Sequence, residues 1–359
     1  MSATPSPGLL MADNEATALE DLHALGCTDG LPVVIPTPER VKAMVVASGL
    51  DADLVLGTMG PGGGLATVEK VAANAVMAGC LPEHLPVLLA ALAAVCDERF
   101  DLGEVQATTH CVTPIVIVNG PARAACGIAS GFGALGPGHR ANASIGRALR
   151  LSMINIGGGR PGVSDMALLG HPGKFTYLLG EAEEESPWPP LNTSFGFDAG
   201  QSTVTVVGVE APHSVISSPT DDVKASAEHL LGALAGTFAN PAKNNAALSG
   251  GTVVVALNPE HARVLADAGH DRDGVADELV TRAVNRKGDI AAVPIAGVIE
   301  GDDDAPVPAL RSRESVVVIV AGGGGLYSMA MPSWAAGPHR NPAVVKEIDL
   351  FPACEIPLR

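Results

Sequence analysis

Residues 252–268 read TVVVALNPEHARVLADA, and this stretch decides what fold to expect. Its first six residues form an apolar, β-branched run of the length typical of a buried strand. Asn258 and Pro259 follow at once. This pair favours a helix start, because asparagine caps free N–H groups and proline suits the first turn. The stretch therefore predicts a strand over 252–257 and a helix over 259–268.

The same alternation of apolar strands and helices extends in both directions from this stretch. The predicted strands cover 30–36, 114–119, 203–209 and 315–321, and the predicted helices cover 17–26, 38–48, 66–78, 83–96, 222–236 and 273–285, with one more from about Asn142. Strands that alternate with helices are typical of parallel sheets. We therefore expect an α/β fold of mostly parallel sheets with flanking helices.

The length of the chain favours two domains, since 359 residues exceed one ordinary core. An acidic and then proline-rich stretch over 181–195 is the best candidate for their boundary. We expect a flexible tail over 1–16, an N-terminal α/β domain over 17–195 and a C-terminal α/β domain over 196–359.

Charge and composition exclude several classes of partner. The net charge of −17 leaves no basic stripe for nucleic acid and disfavours anionic membrane surfaces. No apolar run reaches the ~20 residues of a membrane helix, and residues 1–20 hold no apolar core of a signal peptide. The six cysteines are scattered without CxxC pairs, which indicates reduced thiols and a cytoplasmic location. Abundant Ala and Val surface favours a homo-oligomer.

A glycine-rich turn follows the last predicted strand, in VVVIVAGGGGLYSM (316–329). Free backbone N–H groups at such a turn, followed by a helix, bind a carboxylate, a phosphate or an oxyanion. The predicted binding residues are Gly322, Gly323, Gly324 and Gly325, with a hydroxyl donor from Ser328. A tight turn that binds nothing remains the alternative.

A second glycine-rich loop, GFGALGPG over 131–138, matches the spacing of a dinucleotide fingerprint. It does not directly follow a strand, so we reject that interpretation. Arg140, Asn142 and Arg147 come next, and the two arginines are spaced to share a helix face that suits an anionic substrate. Surface or inter-subunit salt bridges are the alternative.

Two thiols lie near imidazoles. Cys80 precedes a helix N-terminus, whose dipole lowers a thiol pKa and favours a nucleophilic thiolate. His110 and Cys111 form a second pair just before the strand over 114–119. Buried, inert cysteines are the alternative.

General acid–base groups gather in GHPGKFTYLLGEAEEESPW (170–188). His171 and Lys174 lie in a turn, and four glutamates follow within 181–185. The sequence requires no cofactor. A metal held by His110, His171 and these glutamates is an open alternative, although acidic runs are usually solvated.

Several strings resemble a poorly characterised bacterial family that is related to, or occurs alongside, small redox-type proteins with a UGSC motif (Cys or selenocysteine-Gly-Ser-Cys). The strings are TDGLPVVIPTPERV (28–41), VMAGCLPEHLPV (76–87), RANASIGRA (140–148), GHPGKFTY (170–177), EEESPW (183–188) and AGGGGLYS (321–328). The resemblance spans about 28–330 and implies a cytoplasmic bacterial protein, but no reaction. It favours Cys80, Arg140, Asn142, His171, Lys174 and the 322–325 glycines as site residues. The chain lacks the UGSC motif itself, so a redox role would require a partner.

Our leading hypothesis is a lyase or hydrolase that acts on a small polar or anionic compound. Cys80 would be the nucleophile or a thiol that contacts the substrate, and His110 or His171 the acid–base group. Arg140 and Lys174 would hold negative charge, and the 322–325 turn would bind an oxyanion. The alternatives are a non-catalytic subunit that binds a small redox protein within a larger assembly, and a metal-dependent enzyme.

Overall fold

The computed structural model describes residues 10–291 and 299–349. The helices are α1 (Glu15–Ala24), α2 (Pro38–Ser48), α3 (Val68–Ala78), α4 (Leu85–Val95), α5 (Leu102–Ala107), α6 (Ala122–Ala125), α7 (Arg140–Asn155), α8 (Val223–Phe238), α9 (Asn244–Leu248), α10 (Pro259–Asp267), α11 (Arg272–Arg282) and α12 (Lys287–Ala291). The strands are β1 (Val55–Met59), β2 (Gly64–Thr67), β3 (Thr113–Asn119), β4 (Leu178–Gly180), β5 (Thr203–Val209), β6 (His213–Ile216), β7 (Val253–Leu257), β8 (Val284–Arg286), β9 (Pro306–Pro308), β10 (Val316–Val320), β11 (Tyr327–Met331) and β12 (Val344–Glu347).

Two four-stranded sheets form the centre of the described chain, with strand orders β12-β5-β3-β4 and β10-β7-β11-β6. Within them only β3–β4 and β7–β10 are parallel, and the other four pairings are antiparallel. The fold is therefore α/β with mixed sheets, and the expectation of mostly parallel sheets is corrected. The reason is that β5 follows β4, and β11 follows β10, without an α-helix between them. A parallel strand requires such a helical crossover, so β5 and β11 run antiparallel to the strands before them.

The apolar side chains of the strands fill three layers of core. In β3, Ile115 and Ile117 point between the two sheets, whereas Val116 and Val118 pack against α3, α4 and α7. Residues of β7 and β10 alternate in the same way between the inter-sheet layer and α8, α10 and α11. The molecule thus has a helix–sheet–sheet–helix arrangement. Because both faces of each central strand are buried, these strands read as continuous apolar runs.

The predicted boundary at 195/196 does not separate the two sheets. β5 lies after it, yet pairs along its whole length with β3, from Thr113↔Val209 to Asn119↔Thr203. β12 then extends the same sheet through β5. Division into two α/β domains is therefore not confirmed. Of the predicted tail, residues 1–9 lie outside the described residues, and so do 350–359 of the C-terminal unit.

Helix starts follow the capping signals in the sequence. The Asn258 side chain accepts a hydrogen bond of 2.9 Å from the His261 N–H at the start of α10, as Asn-Pro predicts. Likewise, α2 begins at Pro38 and ends before Gly49, which adopts φ 65°.

Two local predictions are wrong. Residues 30–36 form no strand, because Pro32 and Pro36 remove donors that a sheet requires. The segment after the four glycines is strand β11 and not a helix, and it pairs with β7 and β6.

Candidate functional site

A polar cluster lies where the amino end of β3 meets the carboxyl end of β5. The antiparallel register pairs Thr113 with Val209, which brings His110 and Cys111, just before β3, close to Glu210, just after β5. β4 runs parallel to β3, so their amino ends lie at the same end of the sheet. The turn that precedes β4, which contains His171 and Lys174, therefore lies there too. We call this group the Glu210 cluster; it comprises His110, Cys111, Arg150, Asp165, His171, Lys174, Glu210, His213 and Lys243.

Glu210 is the central carboxylate of this cluster. Its Oε1 accepts a hydrogen bond of 3.1 Å from His110 Nε2, and its Oε2 pairs with Lys243 and lies 3.5 Å from His213 Nε2. Burial alone raises the pKa of a carboxyl group, but the hydrogen bonds from His110 and Lys243 outweigh it and lower the Glu210 pKa to about 2. Glu210 is thus ionised at neutral pH, and it orients the His110 ring.

His110 has a second ring nitrogen that is not used by this contact. Nδ1 is buried and has no hydrogen-bond partner among the described residues. Since ionised Glu210 can only accept, Nε2 carries the proton, and in the neutral ring Nδ1 is a free base. A histidine oriented by a carboxylate, with its other nitrogen free, is the arrangement of a general base.

His171 differs from His110 in that the ring nitrogen left unpaired is the protonated one. Its Nδ1 accepts a hydrogen bond of 3.1 Å from the Gly173 N–H, so the proton of the neutral ring is on Nε2. The ring packs edge-on against Tyr177 at 5.8 Å, and the Tyr177 hydroxyl donates to the Glu210 carbonyl oxygen at 3.2 Å. Burial, with help from the Lys174 charge, lowers the His171 pKa to about 4. His171 is therefore neutral at physiological pH and is a hydrogen-bond donor through Nε2.

Two further cations share Asp165. Lys174 Nζ lies 2.8 Å from its Oδ1, and an Arg150 Nη atom lies 2.6 Å from its Oδ2. Burial lowers the pKa of Lys174, and the hydrogen bond to Asp165 partly offsets this. The cluster thus holds Arg150, Lys174 and Lys243 against only Asp165 and Glu210. In a chain with a net charge of −17, this excess of positive charge favours a small anion.

Cys111 is half-buried beside these charges, but its thiol is not activated. Burial raises its pKa, and the Glu210 carboxylate raises it further. Cys111 is therefore a contact residue of the cluster and not a ready nucleophile.

Cys80 lies elsewhere and is a poor nucleophile. Only 8 % of the residue is exposed, and burial raises its pKa to about 12 despite the nearby Arg140 charge. The helix-start argument fails because desolvation of the thiolate outweighs the dipole of a short turn.

Arg140 and Asn142 have structural roles. Arg140 donates to the carbonyl oxygen of Gly79 at 3.0 Å. Asn142 is buried, and its amide bonds both the N–H and the C=O of Ala129, which fixes the 129–134 loop. Neither side chain faces the Glu210 cluster in the described structure, because both belong to the start of α7.

The glycine turn and Ser328 lie at the opposite end of the sheets. The Ala182 N–H, after β4, bonds the carbonyl of Val320 at 2.7 Å, so the 322–325 turn lies with the carboxyl ends of β4 and β10. Ser328 is buried; its hydroxyl bonds His261 Nδ1 at 2.7 Å and accepts from the Asn258 N–H at 3.1 Å. Both hydrogen-bonding capacities of this hydroxyl are used inside the fold, which corrects its assignment as a substrate donor.

The predicted metal ligands are not brought together. Glu181 pairs with Arg272, Glu183 and Glu184 pair with Arg123, and Glu185 pairs with Arg263. Over 10–291 and 299–349, no group of three His, Cys, Asp or Glu side chains is arranged to hold a metal ion.

Sequence reasoning thus identified four residues of the cluster, His110, Cys111, His171 and Lys174. It missed Glu210 and two side chains that contact it, His213 and Lys243. Glu210 had a usable signal, since it directly follows a buried strand. The other two depend on how β6 and α9 fold back onto that strand end.

No protein-family model matches the chain, and no curated protein is significantly similar to it. None of the helices over the described residues has the length and apolar character needed to cross a membrane.

Proposed function

We propose that this protein is an enzyme of the lyase or hydrolase type that acts on a small polar or anionic compound in the Glu210 cluster. The observation that carries the proposal is the buried, ionised Glu210 carboxylate shared by His110 and Lys243, with His110 Nδ1 left unpaired. His110 is the acid–base residue, Glu210 orients it, and Lys174 and Lys243 attract the anion.

Proton transfer replaces thiolate attack as the central step. Burial raises the pKa of both Cys80 and Cys111, whereas the imidazole–carboxylate pair is already formed. A positioned base of this kind contributes about 10²–10⁴-fold to a rate.

The test compares His110→Gln and Glu210→Gln with the wild type on a panel of small carboxylate-bearing esters, amides and hydroxy acids, followed by proton NMR. His229→Gln is the matched control, because His229 is exposed on α8. We expect losses of about 10²-fold or more for the two cluster variants and no loss for the control. Equal activity of all four proteins would refute the assignment.

Anion binding is tested separately by calorimetric titration with inorganic phosphate and with malonate. We expect Lys174→Met to abolish the binding, and Lys224→Met, at an exposed position of α8, to leave it unchanged. Equal affinity in both variants would place anion binding outside the cluster.

A second candidate function is a subunit that binds a small redox protein. It is favoured by an apolar loop in which Leu168 is 82 % and Leu169 is 99 % exposed. The Leu168 N–H bonds the Thr109 carbonyl at 3.0 Å, so a partner on this loop would also approach Cys111. Light scattering of the purified protein with and without Leu168→Asp/Leu169→Asp tests it. This function would be contradicted if the wild type and the variant had the same mass and if the wild type captured no more thiol protein than the variant did.

A further inference from the structure

The end of β5 that leads to Glu210 is held on one side by a side chain and not by a strand. β3 pairs with one edge of β5 along its whole length, whereas β12 covers the other edge only as far as Val206. Beyond that point, Asn341 Oδ1 accepts from the Gly208 N–H at 3.0 Å, and Asn341 Nδ2 donates to the Gly208 carbonyl at 2.7 Å. The Asn341 amide therefore takes the place of a strand partner for Gly208.

Ser333 extends this contact to Glu210 itself. It forms an antiparallel bridge with Val209, and the Pro332 carbonyl before it accepts from the Glu210 N–H at 2.9 Å. Asn341 Nδ2 also donates to Ser333 Oγ at 2.7 Å. The backbone of Glu210 is therefore fixed by a short segment that Asn341 holds against β5.

Asn245 connects the same segment to Lys243. Its Oδ1 accepts from the Ser333 N–H at 2.8 Å, and it belongs to α9, which begins directly after Lys243. Glu210 and Lys243 pair through their side chains. The two partners of this ion pair are thus attached to the two sides of one residue, Ser333, which sets how far apart their backbones lie.

These connections are buried, and the loop that makes them is strained. Asn341, Asn245 and Ser333 are each 0 % exposed. Ala335, Arg340 and Asn341 adopt φ values of 58°, 59° and 54°, in the left-handed region that favours glycine. Such conformations persist only where the surrounding contacts determine them, and they cluster at functional sites. The segment is therefore held in one costly conformation directly beside the Glu210 cluster.

We propose that Asn341 and Asn245 are positioning residues of the enzyme, which together set the separation of Glu210 and Lys243 and keep the Glu210 carboxylate beside His110. This inference rests on the proposed function. Neither asparagine touches the substrate; each acts through Ser333. A catalytic base and the carboxylate that orients it must be held closely in place, so loss of either asparagine should weaken the His110–Glu210 contact.

The test measures how firmly Glu210 holds His110, in the whole protein labelled with ¹⁵N-histidine at pH 7 and without substrate. His110 Nε2 lies 3.1 Å from Glu210 Oε1, so the Nε2 proton is protected from water while the carboxylate stays in place. The rate at which this proton exchanges with water is measured in ¹⁵N-edited NMR spectra. Its signal is assigned by its loss in His110→Gln.

Asn341→Gly removes the amide but still permits the positive φ. We expect the His110 Nε2 proton to exchange about tenfold faster in this variant, because the end of β5 opens more often. Asn142→Ala is the matched control, since Asn142 is also buried and its side chain makes three hydrogen bonds, all to the 129–134 loop. The control should lose stability in urea but leave the exchange rate unchanged.

Three results would overturn the inference: a wild-type exchange rate in Asn341→Gly, an equal acceleration in Asn142→Ala, or a His110 Nε2 proton that the wild type itself does not protect. If Asn341→Gly does not fold, Asn245→Ala cuts the connection on the Lys243 side and should give the same acceleration. Because the measurement needs no turnover, it succeeds or fails independently of the activity assay. Retained activity in His110→Gln would remove the proposed function even where the exchange rates change as expected.

Discussion

Arg272 joins the two sheets through a buried ion pair, and its removal gives a sharp test of the fold. One Nη atom lies 2.8 Å from Glu181 Oε1 and 2.7 Å from the Pro189 carbonyl, and the other bonds the carbonyl of Val318 in β10. The Glu181 side chain is 0 % exposed and that of Arg272 10 %. Glu181 follows β4, so this guanidinium connects one sheet to the other.

The expected magnitude follows from what Arg272→Met leaves behind. Glu181 would remain buried with hydrogen bonds from Asn119 and the Leu191 N–H, but without the ion-pair partner of its side chain. Breaking one partner of a buried pair costs about 3–5 kcal/mol of unfolding free energy. The double variant Glu181→Leu/Arg272→Met should regain much of this, because no unpaired charge is then buried.

The assay is urea unfolding followed by far-ultraviolet circular dichroism, which does not depend on Trp188 beside the mutated side chain. Arg263→Met is the matched control, since Arg263 and Glu185 form a 2.8 Å pair with side chains 53 % and 59 % exposed. It should lose less than about 1 kcal/mol. A loss for Arg272→Met as small as that of the control would refute the reasoning.

Three further predictions follow from particular side chains. At pH 6.5, Cys80 and Cys126 should resist a limiting alkylating agent until the protein unfolds, because burial raises their pKa values to about 12 and about 11. The labelled positions are mapped by peptide mass, and rapid labelling of Cys80 in the native protein would contradict the prediction. His171 has a pKa of about 4 in the folded state and an ordinary value near 6.5 when unfolded, so the unfolded state binds more protons between these values. Stability measured in urea should therefore fall as the pH drops from 6.5 to 4, and His171→Asn should fall less steeply; equal slopes would disagree. Gly64→Ala would place a Cβ 2.0 Å from a backbone oxygen and should cost about 1–3 kcal/mol or more. Gly103→Ala, in α5, meets nothing within 4 Å and should not destabilise the protein, because alanine has the higher helix propensity. Equal thermal shifts for the two glycine variants would contradict the packing.

The elements that the sequence predicted correctly have strong local signals. The strand at 253–257 and the helix at 259–267 follow from an apolar run and an Asn-Pro cap, which act within a few residues. The error over 30–36 came from reading an apolar run as a strand despite two prolines. The error after 322–325 arose because glycines that favour a turn do not determine whether a helix or a strand follows.

The candidate site was predictable only in part, for a geometric reason. His171 and Lys174 are close in sequence, so one motif contains both. The contact between His110 and Glu210 joins residues 100 positions apart and exists only because β3 and β5 are antiparallel in one register. Cys80 failed as a candidate because its burial, and hence its raised pKa, is a property of the packed core.

The α/β class, the helix caps, the buried strands and the presence of acid–base residues before β3 and β4 all follow from local sequence patterns. These depend on periodicity and on contacts between neighbours along the chain. The strand directions, the pairing of β5 with β3 and of β12 with β5, and the grouping of Glu210 with His110, His171 and Lys243 are known only from the folded chain. Strand pairing brings together distant residues according to register, and the degree of burial that results determines which side chains are ionised.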